Sequence, residues 1–233
     1  FESQLENQIR CVFSTSRRAL AATTGTPCQR HLYILHMEQR PTILAMFSGG
    51  LDSLGMVYKL LTEEQYKEYD IHIHHVHNRN IENRHRAEAI AVNIALKELK
   101  TLGFQFAYSE SEIATVAFGR HFLYDTDTMN FFAGYIASVN PDIKKIAIGM
   151  QSTDTNETLS ERRIRATKIL EAFTSAEKIY PVMEMSKREI YDMLPDTLKN
   201  VFWSCRRPVY KDKQISPCGV CETCIKLKEQ GIR

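Results

Sequence analysis

The sequence predicts an α/β protein: an open, mostly parallel five-stranded sheet with helices on both faces, followed by a small cysteine-rich tail. Three observations predict it. From Thr42 onward, short β-rich runs alternate with longer helical ones, and such alternation requires crossover connections and hence parallel strands. The first strand runs through a glycine turn, SGGLDS, directly into the first helix. Four of the six cysteines crowd the C-terminus.

The first strand is TILAMF at 42–47, and the second is IHIHHVH at 71–77. FQFAYS at 104–109 and KIAIG at 145–149 follow, and a short piece at 179–182 makes a fifth. Helices are expected over 52–65, 83–101, 128–139, 160–175 and 186–194. In the second of these, Ala87, Ile90, Ala91, Ile94 and Leu99 fall mostly on one face at helical spacing. No internal repeat or low-complexity tract is present.

At 233 residues, with 43% hydrophobic and 25% charged residues, the chain can bury one sizeable core. A formal net charge of +2 gives no reason to expect nucleic acid as a partner. No apolar run approaches the roughly 20 residues of a membrane-spanning helix, so no membrane association is expected. Residues 1–40 are rich in Ser, Thr and Arg with no sustained period. They are expected to be a dispensable extension, with a targeting peptide as the minority alternative. The core domain is then 41–200 and the cysteine-bearing segment 201–233.

The glycine turn carries the first functional argument. In open parallel sheets, ligands sit beyond the carboxyl ends of the strands. Gly49 and Gly50 let the backbone turn tightly beneath a ligand. The helix that follows aims free N–H groups and its positive dipole end at the turn. Ser48 and Ser53 add hydroxyl donors, while Asp52 would repel a bare phosphate unless Mg²⁺ stood between them. An ordinary strand–helix turn capped by Asp52 or Ser53 is the simpler alternative.

The second argument is the spacing Cys205-x12-Cys218-x2-Cys221-x2-Cys224. Four thiolates and no histidine leave no open coordination position, which suggests a structural Zn²⁺ site. An iron–sulfur cluster or redox chemistry is the competing assignment. Thiol ligands imply a reducing, cytoplasmic setting.

The set Ser-Gly-Gly-x-Asp-Ser on a strand–turn–helix resembles the pyrophosphate loop of the N-type ATP pyrophosphatases, the PP-loop superfamily. Combined with Cys…CGVCETC, it is similar to the 7-cyano-7-deazaguanine synthase family, from about Thr42 to Gly231. RHRAE at 84–88, Asn130, IGMQSTD at 148–154 and YPVMEMSKREIYDM at 180–193 resemble further family segments in order. The resemblance implies an adenine nucleotide alpha hydrolase-like fold and a C–N ligase using ATP, Mg²⁺ and one Zn²⁺. It would turn 7-carboxy-7-deazaguanine and ammonia into the nitrile, 7-cyano-7-deazaguanine, in queuosine biosynthesis, through adenylates and at two ATP per product.

The same resemblance implies site roles. Ser48, Asp52, Arg84 and His85 would be catalytic. The nucleotide would meet Ser48, Gly49, Gly50, Leu51, Asp52, Ser53, Val76, His77 and Gly149. Asn130, Asp154 and Glu88 would be on the substrate side. Arg84, His85 and Glu88 are equally readable as surface residues of a helix start. A homodimer is the one protein partner considered.

Two segments depart from the family. Thr128-Met129-Asn130 stands where Gly-Arg-Asn is usual, and ETLSERR at 157–163 where Gly-Tyr-Pro-Asp-Cys is usual. Both are associated with the base pocket, so another carboxylate, tRNA modification or a non-catalytic nucleotide sensor stay open. His72 and His74 share one side of their strand and His75 and His77 the other, which argues against a metal there. The basic run at 161–168 reads as a solvated helix face rather than a phosphate clamp, and 78–84 as a loop that covers the substrate.

Overall fold

In the computed structural model, residues 40–119, 124–151, 157–212 and 214–232 are described. Strands β1 (Thr42–Met46), β2 (Asp70–Arg79), β3 (Ala107–Ala114), β4 (Ile143–Ile148) and β5 (Glu177–Ile179) form one parallel sheet. Their spatial order is β3-β2-β1-β4-β5. Helices α1 (Leu51–Thr62), α2 (His85–Thr101), α3 (Asp125–Val139) and α4 (Glu157–Glu171) make the crossovers in turn.

The central strand shows why both faces are covered. Along β1, Ile43 and Ala45, with Phe47 just beyond, enter a core shared with α1 and α2, while Leu44 and Met46 enter a second core with α3, β4 and Leu170 of α4. Alternate residues point to opposite faces, so an all-apolar strand needs an apolar layer on each side. Burying each such Ile, Leu or Met contributes about 1.5–3 kcal/mol. From β1 the chain builds outward to β3 on one side and to β5 on the other. The strand order therefore reverses between β1 and β4, and that crevice is where such sheets bind ligands.

After β5 come α5 (Lys187–Met193), α6 (Asp196–Lys199), the antiparallel hairpin β6 (Val209–Lys211) and β7 (Gln214–Ser216), and α7 (Glu222–Glu229). Helix α5 opens with a capping box, Ser186 accepting from Glu189 N and Glu189 accepting from Ser186 N. It lies so close to α1 that a Cβ on Gly55 would stand 2.3 Å from Ile190. Leu198, Phe202, Leu227 and Ile232 belong to the same core as α1 and α2.

Several elements are displaced from their sequence-predicted positions. On α2, Ile90 and Ile94 are 50% and 44% exposed, while Val92, Ala95 and Leu96 join Ala87, Ala91 and Leu99 inside. The buried stripe is thus rotated from the predicted one. Strand β3 begins at Ala107 rather than at Phe104. Phe104 and Phe106 pack on the core from the preceding loop, and the strand itself is a half-exposed sheet edge. Helix α3 begins at Asp125, three residues before the predicted start.

Candidate functional site

Gly49 has φ +79°, and a Cβ there would stand 3.0 Å from Val92 Cγ2 and 3.1 Å from the Glu88 carbonyl oxygen. Both the left-handed backbone and the close approach of α2 require glycine. The turn is braced internally. Ser48 Oγ lies 3.0 Å from Ser53 Oγ, and Ser53 Oγ donates to Gly50 O at 3.0 Å. The N-cap of α1 is Gly50, which supplies no side-chain acceptor. Neither Asp52 nor Ser53 is that cap, so the simpler capped-turn alternative does not describe the loop.

A cleft of about 760 Å³ opens at this turn, lined by Ser48, Gly50, Leu51, Asp52 and Ser53 and by Gly149 at the end of β4. A Cβ on Gly149 would stand 2.6 Å from Ser53 Cα and 2.7 Å from Ser53 N, inside the first turn of α1. Backbone cannot yield as a flexible side chain does. Gly149→Ala is expected to cost about 1–3 kcal/mol through overpacking and to lower Tm by several degrees at about 2–4 °C per kcal/mol. A thermal melt indistinguishable from wild type would show that the strand end and α1 separate freely.

Sequence reasoning missed the residue that answers Asp52. Lys187 Nζ donates to both Asp52 oxygens, at 2.9 and 2.7 Å, from the first position of α5. A lysine 135 residues away in the chain thus supplies Asp52 with a counter-charge. The helix expected over 186–194 put Lys187 near its start, but nothing local indicated its partner. The tail reaches the same turn: Trp203 N donates to Gly49 O at 2.8 Å, and Leu51 N lies 3.4 Å from Ser204 Oγ.

A smaller cavity of about 120 Å³ adjoins the cleft, walled by Met46, Phe47, Val76 and Met129 with His74, Asn78 and Thr128 as polar members. His74 is held near 4 by burial, then by His72 and His75. It is therefore neutral, with Nδ1 2.7 Å from Ser109 Oγ and Nε2 2.9 Å from Ser111 Oγ. His77, expected beside Val76, faces the opposite side of β2, 3.1 Å from Glu110 Oε2. The two-residue period of the strand forbids both from facing one pocket.

Between cavity and cleft lies an ion cluster. Arg84 forms ion pairs with Glu82 at 3.0 Å, Glu88 at 3.2 Å and, most closely, Asp125. Arg206 pairs with Glu82 at 2.8 Å. Arg84, expected to be catalytic, is thus held by three carboxylates that tie the loop after β2 to α2 and α3. His85 lines neither cavity; burial, then Arg79 and His77, lower its pKa.

Glu88 is buried in this cluster, and that burial outweighs Arg84 and pushes its carboxyl up to about 7 from 4.5. The folded chain then holds a proton that the unfolded chain releases, so this contribution to stability is complete below pH 4.5 and lost as pH rises through about 7. Glu88→Gln is expected to flatten that fall in urea-denaturation midpoints between pH 5 and 7.5. Parallel pH profiles for variant and wild type would contradict it.

Of the remaining expected residues, Asn130 lies inside α3, buried, with Nδ2 donating to Thr126 O at 2.7 Å. It lines neither cavity, because the earlier helix start places it in the second turn. Asp154 lies outside the described residues. In the basic run, Arg162 and Arg163 line the cleft and Ala166 is buried, so it is not simply a solvated face.

The sulfur atoms of Cys205, Cys218, Cys221 and Cys224 all lie within 4.8 Å of one another. Among the described residues no other group of three or more His, Cys, Asp or Glu is so arranged. One tetrahedral ion with bonds of ~2.3 Å holds its sulfurs roughly 3.8 Å apart, and Cys221 stands 4.0 Å from Cys205 and 3.5 Å from Cys224. A cubane cluster would bind each thiolate on a different iron and spread them farther. Backbone N–H groups of Arg207 and Cys218 donate to Cys205 Sγ, and that of Cys221 to Cys218 Sγ, as thiolates require. Burial pushes the Cys221 thiol up, but hydrogen bonds from Arg206 and Cys224 backbone and from neighbouring thiols bring it down to about 6. The residues fit a single soft metal ion.

No protein-family model matches the chain, and no curated protein matches it. Among solved structures the chain is similar to the U34-tRNA thiolase NcsA from Methanococcus maripaludis with its [4Fe-4S] cluster, at TM-score 0.49 and 15% identity. The likeness covers 82% of this chain and 65% of that one, less than two thirds of its length. Among the described residues, no helix is long and apolar enough to cross a membrane.

Proposed function

We propose that the chain is a PP-loop ATP pyrophosphatase that adenylates a carboxylate, and that its substrates are 7-carboxy-7-deazaguanine, ammonia and Mg-ATP. One observation carries this: at the point where strand order reverses, a glycine turn and an open helix N-terminus meet the Asp52–Lys187 pair. The backbone N–H groups of α1 and Lys187 would hold the β- and γ-phosphates as they leave. Asp52 would hold the Mg²⁺ that accompanies ATP and neutralises the departing pyrophosphate. Zn²⁺ in the four-cysteine site would be structural, since four thiolates leave no open position.

A carboxylate oxygen of the acid attacks the α-phosphorus, and the α–β bridging bond breaks with loss of pyrophosphate. Ammonia attacks the acyl carbon, loses a proton and expels AMP, leaving the amide. The amide oxygen attacks the α-phosphorus of a second ATP, the α–β bridging bond breaks with loss of a second pyrophosphate, and departure of the second AMP with two protons leaves the nitrile. Glu88, whose burial raises its carboxyl to about 7 at the cleft wall, would exchange those protons.

Thiolation of a nucleic acid is less well supported, because none of the four described cysteines lines the cleft. The thiol ligands favour a reducing, cytoplasmic compartment. Incubating metal-replete protein with the deazaguanine acid, ammonia and Mg-ATP is expected to give the nitrile by mass spectrometry. Turnover of other carboxylates but never this one would remove the substrate and keep the adenylation.

A further inference from the structure

Six cationic side chains line the cleft among the described residues: Arg84, Arg162, Arg163, Lys187, Arg206 and Lys226. Four of them face carboxylates. Arg84 has Glu82, Glu88 and Asp125, Lys187 has Asp52, Arg206 has Glu82, and Lys226 has Glu222 at 2.8 Å. Arg162 and Arg163 differ. Arg162 donates to Tyr124 Oη at 3.1 Å and stands 3.9 Å over its ring, and Arg163 lies 5.9 Å from the ring of Tyr180. Tyrosine accepts a hydrogen bond but brings no charge. Two adjacent positive charges thus face the cleft without an ion pair to a carboxylate among the described residues.

Their position is fixed rather than incidental. One turn further along α4, Arg165 grips buried Asp127 of α3 through three hydrogen bonds of 2.7–3.2 Å. That pair locks α4 against α3, so Arg162 and Arg163 are carried on an anchored wall. The turn at Ser48–Ser53 has its own cation in Lys187. The two arginines therefore serve a different anion.

We infer that Arg162 and Arg163 form a second oxyanion subsite, which holds the carboxylate of the acceptor before it is adenylated. The assignment of that anion to the acceptor rests on the function proposed above. An arginine fork matches the two oxygens of a carboxylate, and a pair offers one oxygen to each guanidinium or a fork to the whole group. The acceptor must meet the α-phosphorus on the side away from the leaving pyrophosphate, so a second anion site in the same cleft suits the in-line displacement. Tyr124, 45% exposed beside Arg162, offers a flat surface at its edge.

The test compares wild type with the Arg162→Ala/Arg163→Ala double variant by calorimetry, in Mg²⁺ and a non-hydrolysable ATP analogue. The ligands are 7-carboxy-7-deazaguanine and its neutral amide. The double variant is expected to bind the acid roughly 10- to 100-fold more weakly while its affinity for the amide and for the ATP analogue stays unchanged. Arg165→Ala controls for a weakened wall, and Arg162→Lys/Arg163→Lys, which keeps charge but loses the fork, replaces the double alanine variant if that does not fold. Unchanged acid binding, a loss that falls on the ATP analogue instead, or no binding of the acid by wild type would each overturn the subsite. Product formation by wild type reports separately on the reaction. Protein that binds the acid through these arginines yet forms no AMP keeps the subsite and removes the proposed chemistry.

Discussion

Lys187→Ala is expected to lower kcat/KM for ATP by roughly 10²–10³-fold, the usual effect of removing one preorganised donor to a developing oxyanion. The lysine is the cation that meets Asp52 in the glycine turn, and both of its hydrogen bonds to that carboxylate are shorter than 3.0 Å. Without it the turn keeps a carboxylate and loses its counter-charge, so phosphate binding suffers twice. Lys187→Arg should recover part of the loss by restoring charge. Asp52→Asn in the Lys187→Ala background should recover less, because it removes repulsion but restores no positive charge and weakens the proposed Mg²⁺ ligand. Full ATP turnover by Lys187→Ala would mean that the pair only fastens α5 to α1.

Cys221→Ser is expected to abolish stoichiometric metal binding and to lower Tm by roughly 10–20 °C. Structural zinc contributes folding free energy directly, and a domain of this size loses about 2–4 °C per kcal/mol. The damage should not stay local. Cys205 follows Trp203 by two residues, Trp203 Nε1 donates to the Cys205 carbonyl oxygen, and Trp203 N donates to Gly49 O. Loss of the metal therefore releases a support of the glycine turn. Leu227 and Ile232 of the same segment also leave the main core with it. Unchanged melting with full zinc content in the variant would rule out a four-cysteine site.

What could be read from the sequence follows the range of the interactions. The glycine turn, the central strand and the cysteine spacing are local signals, and each is where it was expected. Lys187 stood out only as part of the segment at 180–193, because its partner is far away in the chain and only the fold joins them. His77 was paired with Val76 by proximity in sequence, although strand geometry sends them to opposite faces. Arg84 reads as a phosphate ligand until Glu82, Glu88 and Asp125 are seen around it. The edge strand β3, with its polar SESE stretch, lacked the apolar run that marks a buried strand. Arg162 and Arg163 looked like a solvated face because helical periodicity alone does not say which face meets a cleft.

The central claim is that the turn at Ser48–Ser53 seats a leaving pyrophosphate. Phosphorus NMR of wild-type protein turning over Mg-ATP with 7-carboxy-7-deazaguanine and ammonia tests it most directly. AMP and pyrophosphate in equal amounts, with two of each per nitrile formed, is the result expected. ADP and inorganic phosphate as the primary products would place the cut at the terminal phosphoryl group and contradict the account.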